Sequence, residues 1–160
     1  MIYLLVIASV LLFSAGIAGL LAAPYVPTRK KDVARFLELA QIKKGDIVYD
    51  LGCGDGRILK SAKSRGARVI GYELSILNYL LCRFRGLEMR FKNFFKSNFE
   101  DADIVYMFLS KKAHNKMGKV LQSQMKKGSR IICYVWPIDG LKPETIDKLP
   151  SRPNLYLYRI

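Results

Sequence analysis

The segment that most constrains the fold is a short apolar run that ends in an acid and passes into three alternating glycines. Residues 47–49 are typical of a buried strand, and Asp50 closes it. Glycines follow at positions 52, 54 and 56, and a helical pattern comes next. Strand, glycine turn and helix form the first unit of a doubly wound α/β domain, in which ligands bind at the carboxyl ends of the strands. We therefore expect a ligand site at this turn.

The glycine spacing and its two acids indicate the class of ligand. The dinucleotide-binding pattern is G-x-G-x-x-G, with a pyrophosphate at the helix N-terminus. Here the spacing is G-x-G-x-G, with Asp50 before the loop and Asp55 inside it. Two carboxylates repel a phosphate, whereas they suit an ammonium group and sugar hydroxyls. S-adenosylmethionine (SAM) has an amino group, a sulfonium and no phosphate, so we predict SAM as the cofactor.

A third acid follows the next predicted strand. Glu73 ends an apolar run about twenty residues after the glycine loop, the interval at which such folds place an acid on ribose hydroxyls. The alternative, a glycine turn flanked by solvated acids, is disfavoured by the pair of strand-end acids, Asp50 and Glu73. The predicted cofactor-binding residues are Asp50, Gly52, Cys53, Gly54, Asp55, Gly56, Glu73 and Leu74.

The rest of the chain alternates strands and helices. Further strands are predicted at residues 68–73, 87–91, 103–109, 130–135 and 154–160. Right-handed crossovers give a Rossmann-like α/β sheet of order 3-2-1-4-5, with the terminal strand antiparallel beside the fifth. Helices are predicted from Asp32 to about residue 41, from Ser75 to Gly86 and over residues 112–126. The second of these is expected to bury Ile76, Leu77, Leu80, Leu81 and Phe84.

The N-terminal segment carries no charge over residues 1–23 and is rich in Leu, Ile, Val and Ala. About twenty apolar residues span a bilayer core, and a cleaved signal peptide has a basic n-region and a shorter apolar core. We therefore predict a single-pass transmembrane helix over residues 1–23, a linker over 24–31 and a SAM-binding domain over 32–160. The basic residues 29–31 follow the span, which places that domain in the cytoplasm.

The charge balance favours acidic partners. The chain has 27 Lys and Arg against 13 Asp and Glu, a net charge of +14, which suits anionic lipid or nucleic acid. Nucleic acid is disfavoured because no aromatic stacking platform is interleaved with the basic residues. We expect two basic groups to contact anionic headgroups, the alternative being a solvated face. They are Lys112, Lys116 and Lys119, and Arg83, Arg85, Arg90, Lys92 and Lys96.

Neither the cysteines nor the histidine predicts a metal site. The three cysteines lack metal-ligand and C-x-x-C spacing. Cys82 and Cys133 fall on apolar patterns typical of inert core thiols. His114 stands alone among basic residues on a predicted surface helix, so we expect it to be solvated.

Residues 50–56 resemble the first motif of class I SAM-dependent methyltransferases, and Glu73 matches their ribose-binding acid. A narrower resemblance is to the membrane-anchored protein-lysine methyltransferases of mitochondria that modify the ATP synthase c subunit and the adenine nucleotide translocase, and to their prokaryotic relatives. It covers nearly the whole chain and includes residues 24–28, 57–58, 71–74, 103–109, 127–130 and 136–138. The resemblance implies a membrane-anchored enzyme that methylates lysine of a membrane protein.

The methyl acceptor is expected to approach between the ends of the first and fourth strands. The substrate-side candidates, for which ordinary packing is the alternative, are Leu109, Ser110, Trp136 and Pro137. The catalytic residues are not assigned: methyl transfer mainly requires the acceptor to be held in line, and no dedicated base is evident in the sequence. A lipid, quinone or RNA acceptor stays open, as does a catalytically inactive module at a membrane surface.

Overall fold

Seven strands form one sheet in the computed structural model, which describes residues 1–21 and 26–160. The parallel strands are β1 (Ile47–Leu51), β2 (Arg68–Tyr72), β3 (Glu88–Arg90), β4 (Ile104–Met107) and β5 (Arg130–Tyr134). The last two strands, β6 (Thr145–Asp147) and β7 (Leu155–Arg159), are antiparallel, with β7 between β5 and β6. The strand order β3-β2-β1-β4-β5-β7-β6 confirms the predicted sheet. The edge strand β6 was not predicted.

Helices cover both faces of this sheet. The helices of the described residues are α1 (Ile2–Leu21), α2 (Lys30–Ala40), α3 (Arg57–Lys63), α4 (Ile76–Phe84) and α5 (Lys111–Gln124), with a 3-10 turn at Phe94–Lys96. Helices α2, α3 and α4 contribute to one apolar core and α5 to the other. Because both faces are covered, strands β4 and β5 are buried along their whole length. The crossovers reverse direction between β1 and β4, which is where such sheets bind ligands.

The N-terminal helix is present over Ile2–Leu21. Among residues 1–21 and 26–160, no helix is long and apolar enough to cross a membrane. The structure therefore does not support the predicted transmembrane helix. Residues 22–25, the end of the predicted anchor and the start of the predicted linker, lie outside the described residues.

Helix α2 begins at Lys30, earlier than predicted, and inside the segment assigned to the linker. Asp32 is therefore not its N-cap but a fully buried residue of the first turn. Its carboxylate accepts hydrogen bonds from Arg35 Nη1 at 2.9 Å and from the Tyr134 hydroxyl at 2.7 Å. The contact with Tyr134 joins α2 to the end of β5.

Helix α4 is rotated relative to the prediction. Cys82 is its one fully buried residue, and its thiol donates to the carbonyl of Gly54 at 3.3 Å. Four of the residues expected in the core, Leu77, Leu80, Leu81 and Phe84, are exposed instead, and Ile76 is half-buried. The prediction was wrong because α4 packs through the face that carries Cys82, the residue that contacts the glycine loop.

Candidate functional site

The glycine loop after β1 is tied to the end of β2. The N–H groups of Gly52 and Cys53 donate to the Tyr72 carbonyl at 2.9 and 3.0 Å. Gly56 has φ +75°, a left-handed conformation that glycine adopts without strain. A Cβ on Gly56 would also lie 2.7 Å from Leu87 Cδ1 and 2.8 Å from Cys82 Sγ. Position 56 therefore requires glycine for two reasons: its backbone conformation is left-handed, and a side chain would collide with Leu87 and Cys82.

Glu73 stands directly after β2 and holds the glycine loop. Its Oε2 accepts the Gly54 N–H at 2.9 Å, and its Oε1 accepts those of Leu74 and Ser75 at 2.9 and 2.8 Å. A carboxylate oxygen has two acceptor positions, so Oε2 can accept a ribose hydroxyl in addition to the Gly54 amide. Glu73 thus has a structural role at the loop that the sequence did not indicate.

Asp50 lies at the switch point, 3 % exposed and paired in register with Tyr106 of β4. Burial raises the pKa of Asp50 well above its usual range, and the nearby charge of Glu73 raises it further. A cationic group beside Asp50 would favour the ionised carboxylate and lower that pKa. The position therefore fits a positively charged ligand such as SAM.

Asp55 forms an ion pair with Arg57. Its two carboxylate oxygens accept from Arg57 Nε at 2.9 Å and Nη2 at 2.6 Å, and the hydrogen bond with this guanidinium lowers the pKa of Asp55. Arg57 Nη1 also donates to the Thr28 carbonyl at 2.6 Å, and the Thr28 hydroxyl bonds the Tyr106 hydroxyl at 2.8 Å. Arg57, paired with Asp55, therefore joins the segment before α2 to the glycine loop. Contact of Asp55 with the cofactor stays a prediction.

The substrate-side candidates lie where β4 and β5 end. A Cβ on Gly52 would be 3.3 Å from Leu109 Cδ2, so the loop after β4 borders the glycine loop. Ser110 caps α5 by accepting the Ala113 N–H at 3.3 Å. Trp136 is 44 % exposed, and Pro137 is half-buried beside it. The structure brings Leu109 to the glycine loop, while Trp136 is partly exposed to solvent.

His114 joins the two loops that carry these candidates. It is fully buried, its Nε2 accepts the Leu109 N–H at 3.1 Å, and its Nδ1 donates to the Trp136 carbonyl at 2.8 Å. Only the neutral tautomer with the proton on Nδ1 satisfies both contacts. Burial lowers the pKa of His114, consistent with that neutral form. The prediction of a solvated histidine was wrong. The lysines that surround His114 in the sequence indicated an exposed helix face, whereas His114 itself points into the protein.

The backbone at the end of β5 is strained. Val135 has φ +75°, which is unusual for a β-branched residue. The Trp136 N–H donates to the Tyr134 carbonyl at 3.0 Å across this tight turn. The Val135 N–H is bound by the Asn154 carbonyl at 3.0 Å, so neighbouring contacts hold the turn. Such strain is typical of functional sites.

Comparison with known proteins identifies the family to which this geometry belongs. The family model described as the ANTKMT methyltransferase domain matches residues 50–145, more than half of the chain. The chain belongs to this methyltransferase family. It is accordingly a SAM-dependent protein-lysine N-methyltransferase.

Two relatives and one solved structure illustrate the similarity. A protein-lysine N-methyltransferase of Saccharolobus islandicus is 33% identical over 86% of this chain and 93% of its own length. The lysine N-methyltransferase of the ATP synthase c subunit from Xenopus laevis is 30% identical over 79% of this chain and 59% of its own length. The chain thus spans little more than half of this second relative.

The solved structure is an RNA methyltransferase from Salinibacter ruber in complex with S-adenosyl-L-homocysteine. It has a TM-score of 0.79 and 28% identity, and the match covers 84% of this chain and 94% of that one. S-adenosyl-L-homocysteine is what SAM becomes on losing its methyl group. SAM is therefore the cofactor of this fold and of this chain.

Proposed function

We propose that this enzyme methylates a lysine of a membrane protein and works at the cytoplasmic face of the membrane. The observation that carries the proposal is that buried Asp50 and Glu73 lie at the ends of β1 and β2, at the glycine loop that Leu109 borders. The named substrate of the Xenopus relative, the ATP synthase c subunit, is a membrane protein and supports this choice. Helix α1 exposes apolar side chains, among them Leu4, Leu12 and Phe13, which supports attachment to a membrane without requiring that α1 cross it.

The residues at the carboxyl end of the sheet have separate tasks. Asp50 and Glu73 would hold SAM, which supplies an activated methyl group on its sulfonium. Leu109 and Trp136 would flank the acceptor amine and keep water from it. Desolvation lowers the pKa of an amine, so an apolar mouth favours the neutral, nucleophilic lysine. No side chain has to act as a base during the transfer itself, because orientation supplies most of the rate.

The proposal is tested with tritiated SAM and isolated membranes. We expect label on lysine of a membrane protein, and a loss of roughly 10- to 100-fold in the Asp50→Asn and Glu73→Gln variants, since each removes one charge-assisted contact. Glu38→Gln, at an exposed position of α2, is the matched control and should be as active as the unchanged enzyme. Full activity of both site variants would refute the site.

RNA is a second candidate acceptor. It is favoured by the similarity to the Salinibacter ruber RNA methyltransferase and by the net charge of +14. The label distinguishes the acceptors: protease releases it from protein, ribonuclease from RNA, and organic solvent extracts it with lipid.

Attachment through α1 is the remaining part of the proposal. Removal of residues 1–25 should weaken attachment of the enzyme to salt-washed membranes and leave SAM binding intact. The shortened chain must keep Thr28, because its carbonyl binds Arg57 and its hydroxyl binds Tyr106. A shortened protein that sediments with the membranes as completely as the full chain would contradict attachment by α1.

A further inference from the structure

Helix α4 presents an apolar stripe to solvent. Leu77, Leu80, Leu81 and Phe84 are 60, 42, 36 and 87 % exposed. Their spacing of i, i+3, i+4 and i+7 places them on one face, the face that an amphipathic helix normally buries. An exposed apolar patch of this kind marks an interaction site rather than ordinary surface.

The stripe continues onto neighbouring elements. Phe91, 49 % exposed after β3, packs edge-on against Tyr79 of α4 with ring centroids 5.4 Å apart. At the other end of α4, the Ile76 N–H donates to Ser14 Oγ of α1 at 3.3 Å. The α4 surface is defined here as Leu77, Leu80, Leu81, Phe84 and Phe91. It lies beside α1, which exposes apolar side chains of its own.

Positive charge surrounds the α4 surface. Arg83, Arg85 and Lys92 are exposed within or beside it. Glu88 is the one acid between residues 74 and 99, and it pairs with Arg68 at 3.1 Å. Leucine and phenylalanine on one helical face with arginine and lysine at its border are typical of segments that lie in the interface of an anionic bilayer. The charge is complementary to that surface.

We propose that the α4 surface lies in the headgroup region of an anionic membrane, with Leu80 and Phe84 reaching the acyl chains. Arg83 and Lys92 then contact lipid phosphates. The inference rests on the proposed membrane location and specifies a second contact besides α1. Since α4 begins three residues after Glu73, this contact would hold the cofactor edge of the sheet near the bilayer and favour acceptor lysines close to it.

A fluorescent probe at position 84 tests the contact on the full-length chain. The native cysteines at positions 53, 82 and 133 are buried, so Phe84→Cys can be labelled selectively with an environment-sensitive dye. With phosphatidylcholine vesicles containing about one-third phosphatidylglycerol, we expect a blue shift and quenching by spin-labelled lipid. The same label in Glu38→Cys, exposed on α2, is the matched control and should show neither change.

Two further measurements test whether basic residues contribute to vesicle binding and whether a second copy of the chain covers the α4 surface instead. Arg83→Gln and Lys92→Gln should each weaken vesicle binding about fivefold, which corresponds to the contribution of one basic residue near such a surface. The contact is refuted if the chain binds vesicles and the dye at position 84 is not quenched. It is also refuted if the dye shifts without lipid as the protein concentration rises, because a second copy then covers the surface.

The two proposals can fail independently. Leu80→Ser with Phe84→Ser should reduce vesicle binding and leave methyl transfer to a detergent-solubilised membrane-protein substrate unchanged, since neither residue lies at the cofactor edge. Full activity of both Asp50→Asn and Glu73→Gln, with unchanged vesicle binding, would refute the proposed site and leave the α4 contact intact.

Discussion

Replacement of His114 tests how the acceptor side is held together. The side chain is fully buried and bonds two backbone groups, the Leu109 N–H at 3.1 Å and the Trp136 carbonyl at 2.8 Å. In His114→Ala both groups lose their partner. A buried group left unpaired costs about 1–3 kcal/mol, so the two together cost roughly 2–6 kcal/mol. A domain of this kind is stable by about 5–15 kcal/mol in total.

The assay is urea unfolding at neutral pH for the unchanged protein, His114→Ala and His114→Gln. The glutamine amide has a neutral acceptor and a neutral donor, so we expect it to retain part of the lost stability. Lys119→Ala, at an exposed position of the same helix, is the control for helix content. If His114→Ala unfolds within about 1 kcal/mol of the Lys119→Ala control, the bridging role is refuted.

The pH dependence gives a second check on His114. Its folded pKa is lowered by burial from an unfolded value near 6.5. A group with a lowered folded pKa contributes stability that is present above the unfolded pKa and is lost as the pH falls below it. The unchanged protein should therefore lose stability below about pH 6.5. His114→Gln should lack this component, and an identical decline in both proteins would contradict the assignment.

Three further predictions concern the cofactor edge. Gly56→Ala should lower the free energy of unfolding in urea by roughly 2–4 kcal/mol, because of backbone strain and overpacking. The control Gly45→Ala, at φ +90° with open space around it, should lower it by only about 1 kcal/mol. Because the pKa of Asp50 is raised, the unliganded fold should lose stability as the pH rises from the ordinary value of 3.8 through that raised pKa. Binding of cationic SAM should restore that stability. The SAM affinity measured by calorimetric titration should therefore depend on pH, and Asp50→Asn should remove this dependence. Arg57→Gln breaks the contacts with Asp55 and Thr28 and should weaken SAM affinity roughly tenfold in the same titration, with unchanged affinity contradicting that role.

The parts of the fold that could be predicted are those that local chemistry dictates. The apolar run before Asp50, the three alternating glycines and the βαβ rhythm were sufficient for the sheet order, because crossovers are right-handed and short. The edge strand β6 was missed because its residues are exposed or half-buried and carry no apolar pattern. Strand-end acids indicated the cofactor edge, since the carboxyl ends of parallel strands meet there.

The glycine turn, the sheet and the acids that end β1 and β2 follow from the amino-acid sequence alone. Which face of each helix is buried depends instead on tertiary packing. Periodicity shows that α4 has an apolar stripe, but the side that packs depends on the contact between Cys82 and the glycine loop. In the same way, the burial of His114 depends on two distant loops that offer it a donor and an acceptor. Such contacts join residues far apart in the chain, so no local pattern records them.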